Sequence, residues 1–180
     1  MELITDKSQF WDLLKSGYFR SMIKESSTGK HIYDPYEVYN VMKPIFAEHP
    51  DIEQVYCIYM TTKNEIILIE KMFSGSISGA AIYPREIIKK ILLLKATGLI
   101  MVHNHPSGNH EPSSTDRIVT LKLGFILKSI DVSLHDHIIV GDGYHSMNES
   151  GFMEIVGKRF KRLFSDDTEM TTDLYREVNH

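Results

Sequence analysis

The pattern of hydrophobic and polar positions along the chain predicts both strands and helices. Nearly continuous apolar runs predict strands over residues 53–61, 65–74 and 97–103, because strands covered on both faces are apolar throughout. Shorter runs predict strands near 132–140 and 144–147. Helical segments lie between these strands, so the pattern predicts an α/β protein with helices packed against a mixed sheet.

Helices are predicted where apolar residues recur at helical spacing after a capping residue. Asp34, followed by a proline at the first helical position, starts a helix that continues to about Glu48. A second helix begins at Pro84, and a third spans about 114–129. An N-terminal helix is predicted from six apolar residues at roughly helical spacing: Phe10, Trp11, Leu13, Leu14, Tyr18 and Phe19.

The chain is organised as one domain with an extension at each end. With 180 residues and 42% hydrophobic content, it can bury one core of ordinary size. Residues 1–30 are predicted to form a helical extension and a linker, the polar segment 25–30 being the linker. Residues 31–155 are predicted to form the compact domain, and residues 156–180 a charged C-terminal tail.

Charge and hydropathy limit which classes of partner and which cellular compartment we predict for the protein. The formal net charge is −4, and only the run 158–162 is strongly basic. Nucleic-acid binding is therefore possible but not indicated, because phosphate recognition usually needs a basic surface. No apolar stretch reaches bilayer-spanning length, and residues 1–6 lack the basic and apolar segments of a secretory leader. We predict a cytoplasmic protein without a membrane partner.

The sequence contains one cysteine, Cys57, which cannot form an internal disulfide. It lies in the apolar run 55–59, so a buried strand residue is a better interpretation than a nucleophile. A single cysteine also excludes the Pro-Cys-x-x-Cys zinc ligands of a nucleobase deaminase.

The residues richest in chemistry lie in the segment 103–116, where two imidazoles (His103 and His105), the hydroxyl of Ser113 and the carboxylate of Asp116 stand at fixed offsets. His103 and His105 are two residues apart, so in an extended segment both side chains leave the same face. Ser113 and Asp116 lie where a helix should begin, and the loop before them would fold the carboxylate back toward the histidines. Two histidines and one carboxylate suit a catalytic zinc site with water as the fourth ligand.

A purely structural interpretation exists for each part of this segment. Ser113-x-x-Asp116 is also a capping pattern, in which the serine accepts a backbone amide and the acid favours the positive end of the helix. His-x-His recurs at 135–137, so alone it is weak evidence for a metal. Pro106 and Gly108, together with the serine and the aspartate at their offsets, favour the metal site.

The segment 103–116 and its surroundings form the pattern of a known family. An upstream glutamate precedes His-x-His-Pro, seven residues separate the second histidine from a serine, and an aspartate follows three positions later. Branch-specific words extend the match over about 50–153: Tyr83-Pro84-Arg85-Glu86, Leu99-Ile100-Met101-Val102, His103-Asn104-His105-Pro106-Ser107-Gly108, Pro112-Ser113-x-x-Asp116 and Asp136 to Gly143. The chain thus resembles the RadC-like branch of the JAB/MPN (JAMM) zinc metalloprotease superfamily. The resemblance implies a single-domain JAB/MPN-like (cytidine-deaminase-like) α/β fold, with a mixed sheet and helices, over 31–155.

The resemblance also implies roles for five residues: metal ligands His103, His105 and Asp116 for one Zn2+ per chain, and catalytic Glu53 and Ser113. Glu53 would take a proton from the activated water and return it to the leaving amine. Ser113 would donate a hydrogen bond to the tetrahedral oxyanion. Glu65 and Glu70 fit the place of the glutamate less well. The assignment of Glu53 depends on strand register, since a one-residue shift would point it away.

His135, Asp136 and His137 have two interpretations. The Asp136-His137 pair resembles a pair that recurs in the family, and it could orient a ligand imidazole through hydrogen bonds. A strand that enters the core also often satisfies its own polar groups locally. A direct catalytic role is less expected than either.

The function that the resemblance implies is amide hydrolysis by metal-activated water, as in a metallopeptidase or isopeptidase. The partner would be a peptide or an isopeptide-linked protein. The branch carries a name linked to DNA repair, although its usual helix-hairpin-helix-type module is not visible in residues 1–50. One alternative is a non-catalytic JAB-fold module that binds protein or DNA. A metal-dependent nuclease fits less well, because the His-Asn-His residues of that motif are dispersed rather than adjacent. The substrate and the oligomeric state stay open.

Overall fold

The computed structural model describes residues 8, 12, 13, 15–75 and 83–165, and within them one five-stranded sheet is flanked by helices. The helices are α1 (Tyr18–Ser27), α2 (Pro35–Phe46), α3 (Pro84–Leu94), α4 (Ser114–Lys128) and α5 (Phe152–Ser165). The strands are β1 (Gln54–Met60), β2 (Ile66–Ser74), β3 (Gly98–Asn104), β4 (Ser133–Val140) and β5 (Tyr144–Ser146). The predicted α/β fold with a mixed sheet is confirmed.

The sheet has the strand order β2-β1-β3-β4-β5. β1 is antiparallel to both of its neighbours, β3 and β4 are parallel, and β5 is antiparallel to β4. In the register between β1 and β3, Val55 pairs with His103. The start of β1 therefore lies beside the end of β3, which brings together residues that are about fifty positions apart in the sequence.

Alternating side chains of the sheet build one core on each face. On one face, called the α2 face, residues such as Ile58 pack against Met42 of α2. On the other, called the α4 face, residues such as Cys57 pack with Leu123 of α4 and with apolar residues of α3. β1 is buried along its whole length, which explains its continuous apolar run. Burial raises the pKa of the Cys57 thiol to about 12, and the interpretation of this residue as a buried strand residue is confirmed.

Helix α2 begins as its capping pattern predicts. Asp34 accepts a hydrogen bond of 2.8 Å from the backbone amide of Glu37, and Pro35 occupies the first position. The helix ends at Phe46, two residues before the predicted Glu48. It lies on the α2 face, so it supports the sheet from the side opposite the histidines.

The N-terminal segment is tied to this domain. Of the predicted helix over 10–19, Phe10, Trp11 and Leu14 lie outside the described residues, whereas Tyr18 and Phe19 belong to α1, which packs against α2. Arg20 of α1 lies 3.2 Å from the buried carboxylate of Glu48. The predicted linker 25–30 completes α1 and then pairs with β2, because Gly29 donates its amide to the carbonyl oxygen of Ile66 (2.8 Å).

The C-terminal segment begins as a helix that packs on α4. The predicted boundary between residues 155 and 156 falls inside α5. Val156 is 2% exposed, and the rings of Phe160 and Phe125 meet edge to face at 5.7 Å. Apolar contact with α4 thus holds the first part of the predicted charged tail, while 166–180 lie outside the described residues. Among the described residues, no helix is long and apolar enough to cross a membrane.

Candidate metal centre

The two histidines of the His-x-His pattern lie at the carboxyl end of β3, beside the parallel strand β4. His103 is the second-last residue of β3 and is 1% exposed. His105 follows the strand, and its backbone amide donates to the carbonyl oxygen of Val140 at 2.8 Å. The carboxyl ends of parallel strands are the usual location of ligand sites in α/β sheets. The extended backbone places both imidazoles on the α4 face.

The two imidazoles meet through their Nε2 atoms, which are 2.9 Å apart. The Nδ1 atom of His105 lies 2.6 Å from the carbonyl oxygen of Asn109. A carbonyl oxygen only accepts, so this Nδ1 carries a proton and donates. A neutral His105 therefore directs the lone pair of its Nε2 toward His103.

Asp116, in the first turn of α4, places its carboxylate near the Nε2 atoms of both histidines. Its Oδ1 lies 3.4 Å from His103 Nε2 and its Oδ2 lies 3.5 Å from His105 Nε2. The side chain of Asp116 also closes a capping box, because its Oδ2 accepts the backbone amide of Ser113 at 2.7 Å. The capping interpretation and the clustering with the histidines therefore hold together, since the helix cap is what aims this carboxylate.

Glu53 completes the cluster from the residue before β1. One ligand atom from each of Glu53, His103 and His105 lies within 4.8 Å of the others. The pairing of Val55 with His103 fixes this register and directs the half-buried Glu53 to the α4 face. These three residues form a cluster that could hold a metal ion, and Asp116 approaches both of its imidazoles.

The other two candidate glutamates are elsewhere. Glu65 follows the turn after β1, at the opposite end of that strand from Glu53. Glu70 forms an ion pair of 2.8 Å with Lys90 of α3. Neither belongs to the histidine cluster among the described residues.

Asn104, between the two histidines, points to the opposite face and clamps the backbone around Glu53. Its Oδ1 accepts the backbone amide of Gln54 at 2.7 Å, and its Nδ2 donates to the carbonyl oxygen of Ile52 at 3.0 Å. These two groups flank Glu53 directly, so the histidine strand holds the glutamate in place. Sequence reasoning missed this contact, because alternation predicts the face of Asn104 but not its partner.

Burial and charge set the protonation states in the cluster. Burial lowers the pKa of His103 to about 4. A hydrogen bond with Asp116 raises the pKa of His105. Burial alone would raise the pKa of Asp116, but the hydrogen bond with His105 and the charge interaction with His103 hold it well below its usual range. The ionised Asp116 beside the neutral ring of His103 is a combination that binds metal ions, whereas His105 has to release its Nε2 proton before it can bind one.

Ser113 is the N-cap residue of α4, and its hydroxyl is engaged with Asp116. Its Oγ donates to Asp116 Oδ2 at 2.6 Å and accepts the backbone amide of the same residue at 3.1 Å. A hydroxyl has one proton, so Ser113 would have to rotate away from the carboxylate to donate to an oxyanion.

Of the second His-x-His pattern, only His137 reaches the cluster. His137 Nε2 lies 2.7 Å from His103 Nδ1, and burial lowers the pKa of His137 well below its usual value. Asp136 faces the other way and accepts from the Ser146 hydroxyl at 2.5 Å. His135 stands against Gly98 at the far end of β3. Of the Asp136-His137 pair, only His137 contacts a candidate ligand imidazole, that of His103, and can orient it through a hydrogen bond.

Sequence reasoning also missed Thr120, which lies 2.6 Å from His137 Nδ1 through its Oγ1. The signal was present in the spacing, because residues 116 and 120 are one helical turn apart on the same face of α4.

Beside the cluster, a surface cleft of about 360 Å³ gives access from solvent, and its lining residues are Asp51, Ile52, Glu53, Gly75 and Pro106.

Comparison with known proteins agrees with this geometry. A family model described as the RadC-like JAB domain matches residues 32–152. A UPF0758 protein of Pseudomonas fluorescens is 38% identical over 135 residues, which cover 74% of this chain and 60% of that protein. UPF0758 proteins of Methanosarcina mazei and Pseudomonas entomophila are 39% identical over 126 residues and 46% identical over 106 residues, covering 69% and 58% of this chain and 55% and 47% of those proteins.

The chain spans about half to three fifths of the length of these relatives, and their names state no activity. The match nevertheless includes the whole sheet, both histidines and the acidic residues around them. On this sequence match and on the arrangement of the cluster, the chain belongs to the family of RadC-like JAB domains.

Proposed function

We propose that this chain is a zinc-dependent hydrolase of amide bonds, a metallopeptidase or isopeptidase. In this proposal His103, His105 and Asp116 hold one Zn2+, Glu53 transfers protons, and Ser113 assists. The observation that carries the proposal is the convergence of two imidazole Nε2 atoms and a buried carboxylate on one point at the carboxyl end of β3.

The spacing of these donor atoms supports zinc. Four ligands at zinc bond lengths of about 2.0–2.1 Å in a tetrahedron lie roughly 3.3–3.4 Å from one another. Asp116 Oδ1 lies 3.4 Å from His103 Nε2 and Asp116 Oδ2 lies 3.5 Å from His105 Nε2, so each imidazole has one carboxylate oxygen close to this spacing. The 2.9 Å between the Nε2 atoms is shorter, and a small rotation of His105, whose side chain is 17% exposed, would widen it. Nitrogen and carboxylate ligands also match the preference of zinc.

The residues around the ligands support hydrolysis rather than metal storage. Zinc bound at such a site supplies a Lewis acid that polarises a carbonyl and makes water acidic near neutral pH. The Glu53 carboxylate, next to both imidazoles, can accept a proton from the attacking water and return it to the leaving amine. Ser113 can donate to the oxyanion once its hydroxyl turns away from Asp116.

The substrate proposed is a peptide or an isopeptide-linked protein. Glu53 lines an open surface cleft, through which a main-chain carbonyl of such a substrate would reach the proposed proton-transfer group. A link to DNA repair and any contact with nucleic acid stay hypotheses that follow from the resemblance alone.

Elemental analysis of the purified full chain tests the zinc site. We expect about one zinc per chain in the wild type and a loss in both His105→Ala and Asp116→Ala, because each variant removes one of three protein ligands. A folded wild type that stays free of zinc after reconstitution would overturn the proposed site. Circular dichroism of each variant separates loss of metal from loss of fold.

A turnover assay tests hydrolysis, with quenched fluorescent peptides and a lysine-linked isopeptide as probes. Glu53→Gln should retain zinc and lower kcat by about 10²–10⁴-fold, the usual contribution of general acid–base catalysis. Glu65→Gln, a matched change at the other end of β1, should leave turnover unchanged. Zinc-loaded wild type without turnover on any probe, or Glu53→Gln with full turnover, would favour the non-catalytic binding module instead.

A further inference from the structure

A buried chain of hydrogen bonds leaves the cluster at His103 and returns to it through α4. His103 Nδ1 lies 2.7 Å from His137 Nε2, and His137 Nδ1 lies 2.6 Å from Thr120 Oγ1. Thr120 Oγ1 lies 2.6 Å from the backbone carbonyl oxygen of Asp116. These four residues are at most 3% exposed. These hydrogen bonds therefore connect two of the three proposed ligands, His103 and Asp116, through a path that is shielded from water.

One assignment of protons satisfies the two contacts of Thr120. The carbonyl of Asp116 has no proton to give, so the Thr120 hydroxyl donates to it. A hydroxyl has a single proton, so His137 Nδ1 supplies the proton of its own contact with Thr120. The sulfur of Met147, 3.3 Å from the same hydroxyl oxygen, also has no proton and leaves this assignment unchanged.

The assignment then fixes both imidazoles. Burial favours the neutral ring of His137, which carries one proton. With that proton on Nδ1, Nε2 of His137 accepts, and Nδ1 of His103 donates to it. The lone pair of His103 is left on Nε2, the atom that faces His105 and Asp116. The opposite sense of the chain would put a proton on this Nε2 and prevent it from binding a metal.

We propose that Thr120 and His137 are positioning residues that hold His103 in the tautomer able to bind zinc through Nε2. This inference rests on the proposed zinc site. Without the Thr120 hydroxyl, His137 loses the acceptor for its Nδ1 proton and can take the other tautomer, which drives the proton of His103 onto Nε2. Removing an outer hydrogen-bond partner of a metal-binding histidine costs about 10–100-fold in metal affinity.

Competition with a chromophoric chelator tests this inference through the affinity of the full chain for Zn2+. Thr120→Val should bind zinc about 10–100-fold more weakly than the wild type, whereas Thr120→Ser, which retains the hydroxyl, should restore the affinity. Thr97→Val is the matched control, because among the described residues the buried Thr97 hydroxyl has no hydrogen-bond partner. An unchanged affinity in Thr120→Val, with zinc bound by the wild type, would overturn the positioning role and leave the zinc site standing.

Nitrogen NMR shifts of the imidazole rings provide a second readout, which reports the position of each ring proton directly. We expect protonated Nδ1 on both His103 and His137, and in folded Thr120→Val a shift of the His137 proton to Nε2. A protonated Nε2 on either ring of the wild type would overturn the proposal. A wild type that binds no zinc would overturn the proposed function, and the ring shifts would still decide the direction of the hydrogen-bond chain.

Discussion

Gly98, at the end of β3 opposite the cluster, offers the sharpest test of side-chain packing against the sheet. Its backbone is not in the left-handed region, so alanine can adopt it, but a Cβ there would meet His135 Nε2 and lie 2.7 Å from His135 Cδ2. Such crowding costs about 1–3 kcal/mol. Alanine regains about 0.5–1 kcal/mol over glycine in a strand. Gly98→Ala should therefore lower the free energy of unfolding by roughly 1–2 kcal/mol in urea titrations followed by circular dichroism.

A double-mutant cycle isolates the contact with His135. In a His135→Ala background the obstructing ring is gone, while the 3.5 Å approach to Met60 Cβ is ordinary contact. Gly98→Ala should then stabilise the protein by about 0.5–1 kcal/mol, so the sign of its effect reverses. An equal loss of stability in both backgrounds would refute the reasoning and attribute the cost to the strand itself.

Two further substitutions test the loop after β3 and helix α1. Gly141→Ala should weaken Zn2+ binding in chelator competition, because its Cβ would lie 2.7 Å from the carbonyl carbon of Gly108 and displace the loop after β3. Gly157→Ala, where a Cβ has room, is the control and should bind Zn2+ like the wild type. Equal Zn2+ affinities of Gly141→Ala and Gly157→Ala would contradict this reasoning. Arg20→Met should lower the free energy of unfolding by about 3 kcal/mol, since it leaves the fully buried Glu48 side chain without its cation. Adding Glu48→Gln should recover most of that loss in the same urea titrations, and a wild-type stability of Arg20→Met alone would contradict the pairing.

The sequence was sufficient to predict the central strands and the helix caps, because local physics determines both. β1 and β3 are buried on both faces, so their apolar runs end within two residues of the observed strands. Asp34 and Ser113 cap helices through contacts three residues away. The same local signals predicted the extended His-x-His geometry, since side chains two apart in a strand share a face.

The contacts that support the cluster could not be predicted in this way, because they join separate elements. Thr120 meets His137 only through the packing of α4 on β4, and the clamp of Asn104 needs the register of β1 against β3. Helix α5 is a different case, since its apolar residues recur every fourth position. The apolar residues with this spacing are Phe152, Val156, Phe160 and Phe164. Lysines and arginines between them gave the segment the composition of a solvated tail, and the prediction gave charge more weight than spacing.

The clamp formed by Asn104 has a consequence for how such a chain tolerates change. His103, Asn104 and His105 are consecutive residues at the end of β3 and just after it. The two histidines face the cluster, and Asn104 between them binds the backbone on either side of Glu53. The distance between the glutamate and the histidines is therefore set by that clamp and by strand pairing, and not by the length of chain that joins them. Insertions between β2 and α3 can leave this spacing intact, whereas a single added residue within 103–105 would disturb the histidines and the glutamate at once.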